Sequence, residues 1–177
     1  HHFLASTEQA GVDGEITAYA ARSVTASRST AAIAADLCKR IHTEFKYDSK
    51  ATTVSTRALD AFTLKRGVCQ DFSHVMIAGL RGIGIPAGYV SGFLRTIPPP
   101  GKERLEGADA MHAWVKVWCG TKSGWVEFDP TNDMRASNDH ITVGYGRDYG
   151  DVAPIVGILK TAGKQVGDQK VDVVPVG

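Results

Sequence analysis

Residues 66–83 read RGVCQDFSHVMIAGLRGI, and this stretch decides the predicted fold. From Cys69 onward its apolar side chains recur every three or four positions, which predicts a buried helix that carries Phe72, Val75, Met76, Gly79, Leu80 and Ile83. Gly67 precedes this helix, and Gly84 and Pro86 follow it as stop signals. A cysteine thus stands at a helix N-terminus, one of the few places where the backbone lowers the pKa of a thiol.

Apolar residues recur at helical spacing in the segments before this stretch and at strand spacing in the segments after it. We predict an irregular start through about residue 25, a core-packing helix over 30–45 and a shorter helix over 55–65. Beyond residue 86 the period changes to two, which predicts a loop over 96–109 and strands over 87–94, 111–119, 125–129, 141–143, 155–159 and 171–176. Helices first and an antiparallel sheet afterwards predict an α+β fold, in which the helix that begins at Cys69 packs on the sheet.

Length and charge indicate a single domain, residues 1–177, that does not bind a polyanion. The chain has 20 Lys and Arg against 19 Asp and Glu, and no basic run is longer than two residues. These features give no electrostatic footprint for nucleic acid or an anionic membrane. No apolar run approaches the roughly 18 to 20 residues that span a bilayer, and no secretion leader opens the chain.

The three cysteines do not form a disulfide framework, because their number is odd and small for a chain of this size. Reduced thiols favour a cytoplasmic location. The chain opens with two histidines, residues 1–2, which resemble the remnant of an expression tag. We therefore expect the chain to be a fragment, and its oligomeric state stays open.

A histidine and an aspartate stand at the ends of two predicted strands. His112 opens the strand over 111–119, and Asp129 closes the strand over 125–129. An antiparallel hairpin that turns near 120–124 would set His112 directly opposite Asp129, on one face of the sheet and about 5 Å apart at Cβ. The same register predicts two further pairs, Trp114 with Glu127 and Lys116 with Trp125.

The order of cysteine, histidine and aspartate resembles the transglutaminase-like superfamily of papain-related folds. The segments RGVCQDFSHVMIAGLRGIGIPAGYVSGFL, DAMHAWVKVW and GWVEFDPTND carry the resemblance, and HITVGYGRDYGDVAPIVG resembles its bacterial and archaeal cysteine protease branch. The resemblance covers about residues 30–160 and implies Cys69 as nucleophile, His112 as general base and acid, and Asp129 as the residue that orients the imidazole. Bacterial relatives often carry a β-rich domain before this core, so we expect an upstream domain that this chain lacks.

This resemblance implies acyl transfer from an amide carbonyl through a thioester on Cys69. The acyl group would pass to water, as in a cysteine protease or amidase, or to an amine, as in a transglutaminase. A peptide or protein is then the expected substrate, and an amine a possible acceptor. The alternative is a non-catalytic binding or scaffolding module on the same fold, although the matched Cys69, His112 and Asp129 argue against it.

Further polar and aromatic residues are candidates for substrate binding: Gln70, Trp114, Asn132, Arg147 and Tyr149. Each also has a structural interpretation, as a packing residue or a solvated loop residue. Cys38 and Cys119 are expected to be packing residues. Zinc bound by Cys69, His74 and His112 is disfavoured because the sequence lacks the close Cys or His pairs that such sites use. We therefore predict no metal and no cofactor.

Overall fold

The computed structural model describes residues 2–96, 109–154, 157, 162–163 and 170–176. Within these ranges the helices are α1 Gly14–Ala21, α2 Thr30–Glu44, α3 Ala58–Leu64 and α4 Cys69–Gly82. The strands there are β1 Lys46–Tyr47, β2 Arg66–Gly67, β3 Ala87–Leu94, β4 Met111–Trp118, β5 Trp125–Asp129, β6 Met134–Arg135 and β7 His140–Gly146. No helix within the described ranges is long and apolar enough to cross a membrane.

The main sheet has five antiparallel strands in the order β6-β5-β4-β3-β7. Strands β1 and β2 form a separate parallel pair just before α4. Helix α4 packs on β3 and β4, and its apolar face shares one buried core with the inward side chains Ala113, Val115 and Val117. The α+β prediction, with the cysteine-bearing helix on an antiparallel sheet, is confirmed.

The prediction of an irregular start is wrong, because α1 lies there and packs against α4. Asp13 caps α1, since its Oδ1 accepts the N–H groups of Glu15 at 2.7 Å and Ile16 at 3.4 Å. Ile16 and Ala20 are buried, and a Cβ added at Gly79 of α4 would stand 2.9 Å from the Ala20 Cβ. Two turns give a weak periodic signal, so close packing rather than sequence pattern stabilises this helix.

The β4–β5 hairpin has a register two residues away from the predicted one. Lys116 pairs with Glu127 and Trp118 pairs with Trp125, so neither predicted cross-strand pair forms. The turn is longer than the predicted register requires, since Cys119 N donates to the Gly124 carbonyl at 2.8 Å. A slip by two residues preserves the face of every side chain, whereas a slip by one reverses it.

The remaining strand predictions have mixed outcomes. Strands β3 and β5 have the predicted bounds, β4 ends one residue earlier, and β7 is longer than the predicted 141–143. No strand forms over 171–176, where the Val173 N–H donates to the Asp109 Oδ2 atom at 2.6 Å instead of joining a ladder. The predicted strand over 155–159 and most of the predicted loop over 96–109 lie outside the described residues.

Candidate active site

Cys69 is half-buried at the first position of α4, and the chain before it is fixed by a carboxylate. Asp71 Oδ2 accepts the Val68 N–H at 2.8 Å and the Thr52 hydroxyl at 2.7 Å. Gly67 has φ +155°, and a Cβ there would overlap the Asp71 carboxylate. Amides in the first turn of a helix have no intrahelical carbonyl to bind, so the Cys69 N–H suits an oxyanion.

His112 lies between Asp129 and Cys69. Its Nε2 lies 2.7 Å from Asp129 Oδ2, which leaves Nδ1 for Cys69. Burial alone would lower the pKa of His112, but hydrogen bonds with Asp129 and Cys69, and the charges of both, raise this pKa to about 9. The imidazole therefore holds a proton over most of the physiological range when the thiolate is present.

The Asp129 side chain is fully buried, and both of its oxygens accept hydrogen bonds. Oδ2 lies near three side-chain nitrogens, His112 Nε2 at 2.7 Å, Asn132 Nδ2 at 2.7 Å and His140 Nε2 at 3.2 Å. Oδ1 accepts the backbone N–H groups of Thr131 at 2.9 Å and Asn132 at 3.2 Å. Burial would raise the pKa of Asp129, but the hydrogen bonds with His112 and His140 outweigh it and hold that pKa far below its usual range.

Cys38 supports the same strand end from α2. Its Sγ lies 3.3 Å from the Asp129 carbonyl oxygen, and burial raises the pKa of this thiol to about 12. Cys38 therefore acts as a packing residue and a weak donor that holds the Asp129 backbone. This arrangement agrees with the packing role predicted for it.

His140 is a functional candidate that the sequence analysis missed. It opens β7 at the sheet edge, its side chain is 1% exposed, and its ring packs against Trp114 with centroids 5.1 Å apart. No motif marks it, because its contact with Asp129 depends on how β7 pairs with β3. Its position at a strand start, like that of His112, is the only signal in the sequence.

Cys69 and His112 both line a cleft of ≈ 480 Å³. Its other described lining residues include apolar and aromatic side chains as well as polar and charged ones: Tyr47, Leu94, Arg95, Thr96, Ala110, Met111, Asn132, Met134 and Asp139. Arg95 Nε lies 2.6 Å from Asp139 Oδ1, so the lining of the cleft includes an ion pair.

Only one of the five predicted substrate-binding residues lines this cleft, Asn132. Trp114 is fully buried, and its Nε1 donates to Glu127 Oε2 at 2.7 Å, so the prediction of direct substrate contact is corrected. Gln70 is also buried, and its Nε2 donates to the Val54 carbonyl at 2.9 Å. Both side chains are held by contacts inside the protein.

Arg147 and Tyr149 line a different cleft, of ≈ 610 Å³, which neither Cys69 nor His112 lines. Arg147 pairs with Asp151 at 2.7 Å. Strand β7 extends to residue 146 and carries this segment to the opposite end of the strand from His140. Their predicted place at the rim of the active site is therefore corrected.

The disfavoured zinc set does not assemble around His74. Its Nε2 accepts the Tyr149 N–H at 3.1 Å, and burial lowers the pKa of His74 to about 4. The imidazole is a buried neutral acceptor of α4. It does not join Cys69 and His112 in the described cleft.

The ligand atoms of His112, Asp129 and His140 lie within 4.8 Å of one another and have the donor types of a transition-metal site. The Ser137 N–H, however, donates to His140 Nδ1 at 3.2 Å, so neutral His140 carries its proton on Nε2. A metal-binding Nε2 must lack that proton, while the other ring nitrogen normally donates. The contacts of His140 therefore fit hydrogen bonding to Asp129 better than metal coordination.

Known proteins with similar sequences include a mycobacterial group. The uncharacterized protein Rv2569c of Mycobacterium tuberculosis is 47% identical over 161 residues, which cover 89% of this chain and 51% of that protein. The chain therefore spans about half the length of the curated relatives it matches.

Solved structures share the fold. A proposed cysteine protease from Cytophaga hutchinsonii superposes with a TM-score of 0.70 at 27% identity, covering 85% of this chain and 48% of that one. The periplasmic domain of TgpA from Pseudomonas aeruginosa superposes with a TM-score of 0.54 at 27% identity, covering 73% of this chain and 46% of that one. Residues 17–130, which are more than half of the sequence, match the family model described as the transglutaminase-like superfamily. The chain belongs to the transglutaminase-like superfamily.

Proposed function

We propose that this chain is a cysteine-dependent acyl-transfer enzyme that cleaves amide bonds in peptides or proteins. One observation carries the proposal: His112 is hydrogen-bonded to Asp129, its pKa is raised by interactions with both Asp129 and Cys69, and Cys69 and His112 open onto one cleft. A nucleophile, its base and the residue that orients the base are the parts that thiol catalysis needs.

The reaction begins when the Cys69 thiolate attacks the amide carbonyl. The Cys69 N–H stabilises the developing oxyanion, and protonated His112 donates its Nδ1 proton to the departing amine. A thioester on Cys69 remains. His112, now neutral, takes a proton from the incoming water or amine, which releases the acyl group and restores the ion pair, while Asp129 holds the ring throughout.

Hydrolysis is the favoured outcome, so the proposal is a protease or amidase. The Cytophaga protein, which shares most of this fold, is itself a proposed cysteine protease. Transfer to an amine follows the same steps up to the thioester. The choice of acceptor therefore needs an experiment that measures both outcomes together.

The experiment incubates the protein with a peptide library, with and without a labelled primary amine, and follows cleavage and amine incorporation by mass spectrometry. Cys69→Ala serves as the inactive variant, and Cys119→Ser is the matched control because Cys119 does not line the cleft. Cleavage that disappears only in Cys69→Ala supports the proposal. A folded wild-type protein that binds peptides but neither cleaves them nor forms a thioester would favour the scaffolding alternative.

We also propose that the enzyme acts in the cytoplasm, where its three free cysteines would stay reduced. Fractionation of cells that express the full-length protein tests the location. Recovery from an extracytoplasmic fraction would contradict it.

A further inference from the structure

His140 contacts Asp129, the aspartate that orients the proposed base His112. Its Nε2 lies 3.2 Å from the same Asp129 Oδ2 atom that His112 reaches at 2.7 Å. His140 does not line the catalytic cleft, and its side chain is 1% exposed. It therefore cannot meet a substrate there, but it can act on the residue that orients the base.

We propose that His140 is a positioning residue, whose Nε2–H holds the Asp129 carboxylate in the orientation that His112 requires. This inference rests on the proposed function. Asn132 also donates to Oδ2, but Asn132 lines the cleft and is accessible to substrate and water. His140 is the donor that stays shielded from both.

The ring of His140 is fixed by its own turn. The His140 N–H donates to the Ser137 carbonyl at 3.0 Å, and the Ser137 N–H donates back to His140 Nδ1 at 3.2 Å. The second bond requires Nδ1 without a proton, so the remaining ring proton lies on Nε2 and is directed at Asp129. The turn thus selects both the tautomer and the direction of the donor.

A bulge in the sheet places His140 on the correct face. The β3–β7 register shifts by one residue between Ser91, which pairs with Gly144, and Gly92, which pairs with Thr142. A shift by one residue reverses which side chains face each side of the sheet. Without this bulge His140 would face the side of the sheet opposite to His112.

The test compares His140→Phe, which keeps a ring but removes the donor, with His140→Gln, whose Nε2 can replace the donor. Because His140 does not touch substrate, we expect kcat of His140→Phe to fall by about 10 to 100-fold with KM within about twofold of wild type. His140→Gln should keep kcat within about threefold of wild type. Equal losses in both variants, a change in KM alone, or full activity of His140→Phe would overturn the proposal.

A second measurement needs no substrate. In ¹⁵N-histidine-labelled protein, the His112 Nε2–H that bonds to Asp129 should give a protected signal in wild type and in His140→Gln. The signal should broaden or disappear in His140→Phe. Should His140→Phe fail to fold, His140→Met replaces it as a donor-free variant.

This measurement separates the two proposals. If wild type cleaves no peptide, the proposed function fails, while the histidine signal still decides the role of His140. A protected His112 signal in a folded variant without the donor would overturn the positioning role whatever the activity.

Discussion

His112 Nε2 and Asp129 Oδ2 lie 2.7 Å apart, on neighbouring strands whose ladder ends at the pair Val115 and Phe128. Both residues stand beyond that last pair, where the β4–β5 ladder ends, although His112 still pairs with Gly92 of β3 and Asp129 with Met134 of β6. The two side chains therefore meet diagonally rather than face to face, on one side of the sheet. This position leaves the other ring nitrogen directed at the start of α4, where Cys69 lies.

The pH dependence of catalysis should follow His112. Its pKa of about 9 means that the imidazolium persists below about pH 9 and is lost as the pH rises through that value. Because the leaving amine needs this proton, kcat/KM should fall above about pH 9. In Asp129→Asn the charge that raises the pKa is gone while burial still lowers it, so the alkaline limb should move to lower pH. Profiles for both proteins on one peptide test this, and an unmoved limb would contradict it.

Cys69 should be the thiol that alkylates rapidly at pH 6. Cys69 lines the cleft with His112, whereas burial raises the pKa of Cys38 to about 12 and also raises the pKa of Cys119. Peptide mass spectrometry after timed treatment with iodoacetamide measures all three rates. In denaturant the three rates should converge, and equal rates in the native protein would contradict the assigned nucleophile.

Substitutions of the three residues should rank in a definite order. Cys69→Ala should abolish turnover because no other group forms the thioester, and His112→Ala should nearly do so. Asp129→Asn should lose roughly 10 to 10⁴-fold in kcat/KM, because the amide can still accept the imidazole N–H but lacks the charge. Asp129→Ala should lose more, since it also removes the hydrogen bond. Circular dichroism checks that each variant folds, and a folded, fully active Asp129→Ala would remove Asp129 from the mechanism.

Long periodic segments could be predicted from the sequence, and so could the residues at their ends. Helix α4 and strands β4 and β5 have patterns that predict where they begin and nearly where they end. The hairpin argument set His112 near Asp129, whereas the resemblance to the family implied that Cys69 joins them. The hairpin register was off by two residues because it depends on the turn between Gly120 and Gly124, both with positive φ. Because an error of two residues leaves each side chain on its predicted face of the sheet, His112 and Asp129 are still close to each other.

Other features depend on tertiary contacts that alternation does not encode. Trp114 has the same alternating position as His112, but only packing around it decides that it is buried rather than exposed in the cleft. The length of β7 carries Arg147 away from the catalytic end of that strand. The face on which His140 lies depends on a one-residue bulge, and the alternation of apolar residues in the sequence does not predict such a bulge.

Gly92 should be essential for that bulge. A Cβ at Gly92 would overlap the Ile141 carbonyl and stand 2.7 Å from the Trp114 ring, so β7 could not approach β3 as closely. Gly92→Ala should therefore lower the free energy of unfolding by about 1–3 kcal/mol, as overpacking does. Since β7 carries His140, the variant should also lose kcat.

Gly144→Ala is the matched control for Gly92→Ala. It lies on β7 opposite Ser91, and its added Cβ would meet Val152 Cγ1 at 3.4 Å, an ordinary contact. Its stability should change by less than about 0.5 kcal/mol, with activity retained. Urea unfolding and kcat on one peptide measure both variants. If Gly92→Ala and Gly144→Ala behave alike, the close approach at Gly92 does not position β7; if Gly92→Ala is destabilised but keeps full kcat, the bulge supports the fold without supporting Asp129.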